Sequence, residues 1–250
     1  MEYAVECELL FKNPCDKIRI KFTTTTDEKI IKQLIKLKRE KINYYNIEEF
    51  KKVCGLLEKQ FLEYYYSSNI DDEKRLREVG RRFVVLLALK TGMRRSEIFG
   101  LTRDDLSVEH AYFDVNKSRH YIASKGKITK YPKNDSSIRK KPLPKLILSY
   151  LKLYYDLLDR LQYKETYIFD YLSIDGMSTW FDTWQNKNNI KNIRFHDLRH
   201  THATILLFIH TDIKTISERL GHSDIQTTLN IYADVLHDLD IKTAEGLDSI

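Results

Sequence analysis

The segment FHDLRHTHATILL, residues 195–207, sets three histidines, an arginine and an aspartate just ahead of an apolar run. On a helix, positions i, i+3 and i+4 share one face, so His196, Arg199 and His200 lie together near a helix N-terminus. Three chemistries compete for that face. The i, i+4 histidines have the spacing of a zinc-binding helix, but Asp197 stands where a zincin carries its glutamate base. Arg199 would also put a permanent cation beside the metal, and no clear third ligand is in view. Ordinary capping polarity explains Asp197 easily, Arg199 and the histidines less well. An anion site fits the remainder. A helix N-terminus attracts anions, Arg199 offers a planar fork of donors, and His196 exchanges a proton near neutral pH.

Two further stretches bear on that choice. KTGMRRSEIFGLTRDDL, residues 90–106, places Arg94 just after Gly92, where the chain breaks and a helix begins, with Glu97 three residues on. A basic surface turn would read the same way. LGHSDIQTTLNIYADV, residues 220–235, places His222 after Gly221 and Tyr232 ten residues later. With 16 tyrosines in the chain, any one of them is most often a packing residue.

T-G-M-R, H-x-L-R-H, L-G-H-S and the tyrosine ten residues on, in that order, resemble the catalytic boxes of the tyrosine recombinases, the phage integrase family. Each box is weak alone; order and spacing together are specific. The resemblance covers residues 27–240. It implies a mostly helical α+β catalytic domain with a small three-stranded antiparallel sheet, over 22–250. Residues 1–21 would match only the end of an N-terminal core-binding domain and its linker. By resemblance, Arg94 and Arg199 clamp the scissile phosphate, Tyr232 is the nucleophile, His196 takes its proton, His222 hydrogen-bonds the phosphate and Glu97 supports Arg94. The family also uses a hairpin lysine. Lys117, Lys125, Lys127, Lys130 and Lys133 all lie in that region, and Lys133 is chosen because the family's lysine precedes S-S-x-R. The implied function is a DNA recombinase or integrase that moves a phage or other mobile element. Alternatives are a chromosome-dimer resolving recombinase, or a catalytically silent DNA-binding regulator of the same fold. Implied partners are double-stranded DNA, further copies forming a homo-tetramer on paired sites, and accessory directionality or bending factors.

The chemistry is self-consistent. Attack on a phosphodiester adds charge to its equatorial oxygens, and each preorganised cationic donor can stabilise that charge by ~3 kcal/mol. Two arginines and a histidine then do what Mg²⁺ does elsewhere, so no metal is implied. A phenol needs a base and a positive field to attack at neutral pH, and the 5′-oxygen needs an acid to leave. The phosphotyrosine conserves bond energy, so no cofactor is implied, in keeping with the lack of a G-x-x-x-x-G-K-[ST] phosphate loop.

These residues need elements to hold them. Apolar spacing predicts helices over 27–40, 46–65 and 71–92, the last apolar in its second half and stopped by Gly92. AYFDV, SRHYIAS and KITKYPK predict strands between about 106 and 140, with SIRKKPLP ending the sheet. Helices are predicted again over 144–161, 178–189, 196–209, 212–220 and 224–233. A separate C-terminal helix follows, VLHDLDIKTAEGL. Its Val235, Leu236, Leu239, Ile241 and Leu247 either pack on their own domain or, by resemblance, dock on a neighbouring subunit.

Composition sets the outer limits. The chain has 250 residues, 42% of them apolar, enough for a sizeable core. No apolar run reaches membrane-spanning length, and Glu2 and Glu6 do not suit a signal peptide. Three cysteines without C-x-x-C spacing fit a reducing cytoplasm; by resemblance the protein is bacterial or phage-encoded and acts on the nucleoid. A net charge of +6 and pI near 9.0 suit a polyanionic partner. The basic runs at 74–82 and 139–145 are the expected phosphate contacts.

Overall fold

The computed structural model describes residues 42–132 and 137–247. The chain divides into two units, Met1–Lys41 and Ile42–Ile250. The predicted helix over 27–40, the boundary near residue 22 and the remnant over 1–21 lie outside the described residues.

Helix α1 (Ile47–Tyr66) begins at Asn46. Its side chain accepts from the Glu49 N–H, and the Glu49 carboxylate accepts from the Asn46 N–H. This reciprocal box satisfies donors that a helix start leaves orphaned. Val53, Leu57 and Phe61 turn inward, as their spacing predicts. In α2 (Asp72–Thr91) every side chain from Phe83 to Leu89 is buried. At about 1.5–3 kcal/mol for each large apolar side chain, this segment anchors the core. It packs against α1, α4 (Lys145–Arg160) and α6 (Asp197–Phe208). The helix stops at Gly92, which is left-handed with φ 72°. A Cβ there would stand 2.6 Å from His202 Cδ2, so glycine is required by conformation and by space.

The sequence predicts one three-stranded sheet. Among the described residues five strands form two antiparallel sheets, a three-stranded one as predicted and a separate two-stranded hairpin, between α3 (Arg95–Phe99) and α4. Strands β1 (Leu106–Ser107), β2 (Tyr112–Val115) and β5 (Arg139–Pro142) pair in the order β1-β2-β5, with Phe113 opposite Lys141. Strands β3 (Ser118–Ile122) and β4 (Gly126–Lys130) form a hairpin, with His120 opposite Ile128. The segment predicted to end the sheet is therefore itself a strand. Its lysines and proline suit an edge, and the Lys140 ammonium lies 3.5 Å from the centre of the Tyr112 ring.

The basic runs carry acidic partners within the domain. Arg75, Arg77, Arg81 and Arg82 pair with Asp72, Glu73 and Glu78 on their own helix. Arg139 is buried against Glu97, and Lys141 meets Glu218. These contacts pair charges along α2 and tie β5 to its neighbours.

The remaining helices are α5 (Gly176–Lys187), α7 (Ile213–Leu220) and α8 (Ile225–Leu247). The sequence predicts two helices after residue 224. In the structure two helical segments meet at a kink within Ile225–Leu247, where Tyr232 has non-helical backbone (φ −106°, ψ 17°). Tyr232, Val235 and Leu236 pack with Ala203, Leu207, Ile216 and Leu220 in a second apolar cluster. The start of the C-terminal segment thus packs on its own domain. Among the described residues no helix is long and apolar enough to cross a membrane.

Candidate active site

Arg94 follows the turn at Gly92 and caps α3. Its Nη1 donates to Glu97 Oε1 at 2.8 Å, and its backbone N–H donates to Glu97 Oε2 at 2.8 Å. Glu97 is buried, and Arg139 grips it from the other side with Nη2 at 2.6 Å and Nη1 at 3.2 Å. The Arg139 Nε donates to the Arg219 carbonyl at 2.9 Å. A chain of charge therefore runs from β5 through Glu97 to Arg94. Burial alone would raise the Glu97 pKa, but Arg139, then Arg94 and Arg199, hold it down at about 2. The left-handed Gly221 (φ 70°) makes room for this chain, since a Cβ there would stand 2.9 Å from Arg139 Nη1.

Arg199 comes from the first turn of α6 and is buried. Its Nη1 donates to the Gly92 carbonyl at 2.8 Å and its Nη2 to the Leu220 carbonyl at 2.6 Å. One guanidinium thus joins the ends of α2 and α7, the two turns that present Arg94 and His222. Burial and then Arg94 push its pKa down to about 9, with Glu97 opposing, so it is a cation at neutral pH.

His196 caps α6 and lines a cleft of about 500 Å³ with Arg94, Arg95, Ser96, His120 and Arg194. His222 Nδ1 lies 2.7 Å from Thr228 Oγ1. Tyr232 is 1% exposed, and its hydroxyl lies 3.1 Å from His200 Nδ1. Burial pushes the phenol pKa up, and Arg199 opposes. Burial and then Arg199 lower His196. Burial and then His196 bring His200 to about 4, and burial followed by Arg199 and Arg94 brings His222 to about 4. Histidines 200 and 222 are therefore neutral at pH 7. The arrangement offers two cations, neutral imidazoles and a phenol: anion binding with proton exchange. Among the described residues no group of three His, Cys, Asp or Glu side chains is placed to hold a metal ion.

Lys133 lies outside the described residues. Pro132 and Ser137, on either side of its segment, line a cleft with Arg94 and His120. Lys117 is bound to Asp105 at 2.5 Å and Asn116 at 2.8 Å, and Lys127 to Asp170 at 2.8 Å. Two contacts were missed in the sequence. His200 was visible as the fifth letter of H-D-L-R-H, but its partner is 32 residues away. Arg139 stood in S-S-I-R with no sign that it would meet Glu97, 42 residues upstream.

Comparison with known proteins bears on family and fold. The model of the phage integrase family matches residues 62–238. The ICEBs1 integrase of Bacillus subtilis (strain 168) is 26% identical, covering 99% of this chain and 61% of the relative. A XerC-like tyrosine recombinase of Caldanaerobacter subterraneus is 28% identical, covering 99% and 62%. The chain spans about three fifths of the length of both relatives. The fold matches the Tn1549 transposon integrase in complex with transposon right end DNA, with TM-score 0.62, 19% identity and coverage of 97% and 75%. It also matches the XerH recombinase bound to difH substrate, with TM-score 0.55, 22% identity and coverage of 76% and 49%.

Proposed function

Because this chain belongs to the phage integrase family, we propose that it is a site-specific DNA strand transferase that integrates or excises a mobile element. The observation that carries this reading is the buried cation Arg199, which acts on the phenol of Tyr232 and stands beside Arg94 and His222. A phosphodiester between the two arginines meets preorganised positive charge where its transition state gains negative charge. Tyr232 attacks phosphorus, a bond to the 5′-oxygen breaks, and a 3′-phosphotyrosine results. His222 donates to a phosphate oxygen, Glu97 fixes Arg94, and Lys133 protonates the departing 5′-oxygen. The positive field replaces a metal ion in this scheme.

Double-stranded DNA is the ligand, bound on paired sites by four copies with accessory directionality or bending factors. The DNA complexes of the Tn1549 integrase and XerH support the ligand. The XerC-like relative supports a second reading, chromosome-dimer resolution, which uses the same chemistry on different DNA. The test is the polarity of cleavage. A duplex pool cut by the full chain and denatured should leave protein on the 3′-phosphate and a free 5′-hydroxyl that a kinase can label. Protein on a 5′-end, or no protein-linked strand, would contradict the reading.

A further inference from the structure

We propose that His200, through its Nδ1, accepts the phenolic proton of Tyr232 and is a further catalytic residue of the strand-transfer reaction. The inference rests on the reading of Tyr232 as the nucleophile. Among the described residues His200 is the hydrogen-bond partner of that hydroxyl, at 3.1 Å. The two rings meet edge to face at 5.9 Å. His196, which the family resemblance assigns to the proton, packs edge to face against His200 at 5.3 Å and faces the open cleft beside Arg94. That position suits a contact to the phosphate. His200 stands one turn further inside.

The surroundings suit a base. His196, Asp197, Arg199 and Arg194 face His200 from α6 and the turn before it. His222 faces it from the turn after α7, and Tyr232 from α8. The nearby cations and the burial favour the neutral ring, whose Nδ1 carries a lone pair when its proton is on Nε2. In the step, the phenol O–H breaks and its proton goes to Nδ1. The phenolate oxygen bonds to phosphorus, the bond from phosphorus to the 5′-oxygen breaks, and that oxygen takes a proton from the hairpin acid. On religation the imidazolium returns its proton to the phenol. A weak base facing a weak acid does not ionise it in the ground state; the proton moves only as the new bond forms, which is general-base catalysis.

The experiment follows covalent adduct formation by the full chain on nicked duplexes randomised around the nick, from about pH 6 to about pH 10, the range in which a phenol begins to ionise. Wild type, His200→Ala and His200→Gln are compared, with DNA binding and thermal melting as checks on folding. His200→Ala is expected to slow adduct formation about 10²-fold at neutral pH. The deficit relative to wild type shrinks as pH rises, because a phenol ionised by hydroxide needs no base. Fluorinated tyrosine at position 232, with its lower pKa, brings the same recovery at lower pH. His200→Gln keeps an oxygen acceptor but has no basic nitrogen, and it stays slow. It decides the matter if His200→Ala does not fold. A wild-type rate in either variant, or a deficit that ignores pH and fluorination, overturns the inference alone. No adduct from wild type overturns the strand-transfer reading, and the inference falls with it.

Discussion

Replacing Glu97 by Gln removes one charge from the centre of the Arg139–Glu97–Arg94 chain with little change of shape. Arg139 and Glu97 are both buried, with side chains 3% and 7% exposed. Removing one partner of such a pair leaves the other charge without compensation, at a cost of about 3–5 kcal/mol. The depression of Glu97 from 4.5 to about 2 gives a similar size, at about 1.4 kcal/mol per pKa unit. Folding lowers this pKa, so the stabilisation is complete above the unfolded value of 4.5 and is lost as pH falls through about 2. The loss in Glu97→Gln is therefore constant from pH 6 to 8. For a folded unit of this size it lowers Tm by roughly 6–20 °C. The assay is urea and thermal unfolding of wild type, Glu97→Gln, Arg139→Gln and the double variant. The double variant should be far less destabilised than the sum of the singles. Covalent adduct formation should also slow by about tenfold or more, because Arg94 loses the carboxylate that aims it. A loss below about 1 kcal/mol, or additive losses, would refute the ion-pair reasoning.

Three further outcomes are expected. His202 donates from Nδ1 to the Leu89 carbonyl and accepts from Arg219 at Nε2; burial and then Arg219 lower its pKa from 6.5 to about 3. The unfolded chain takes up that proton below 6.5 and the native chain resists it, so urea midpoints fall steadily from pH 6.5 toward 3 and His202→Asn flattens the slope. Gly92→Ala combines a left-handed φ of 72° with a Cβ 2.6 Å from His202, and calorimetry should show a loss of about 2–5 kcal/mol. Lys133→Ala should cleave a normal bridging 5′-oxygen very slowly and a bridging 5′-sulfur nearly as fast as wild type, since a thiolate leaves without a proton; equal slowing of both substrates would make Lys133 a phosphate contact instead.

Much of the helical frame was legible because one spacing served both packing and prediction. Val53, Leu57 and Phe61 fall on one face in the sequence and on the buried face in the structure. Gly92 marked the end of α2 because left-handed backbone is costly for other residues. Strand β5 was hidden because Arg139, Lys140, Lys141 and Pro142 have no apolar alternation; cross-strand partners and a cation over Tyr112 stabilise it instead. The acidic partners of the basic run at 74–82 were not legible from charge counting, which ignores groups one helical turn away. In the site, the motifs named Arg94, His196, Arg199, His222 and Tyr232, and the fold brings these boxes to neighbouring turns. The contacts of His200 and Arg139 were not legible, because each joins segments far apart in the chain. The kink at Tyr232 was half visible, as the break between two predicted helices.

The most direct test of the account is the chemical identity of the protein–DNA link. The full chain is incubated in EDTA with nicked duplexes randomised around the nick, the adduct is digested, and the modified peptide is sequenced by mass spectrometry. The account predicts a phosphodiester to the phenolic oxygen of Tyr232, formed without metal and absent from Tyr232→Phe. A nucleotide on any other residue, or an adduct that forms only when a divalent metal is restored, would contradict it.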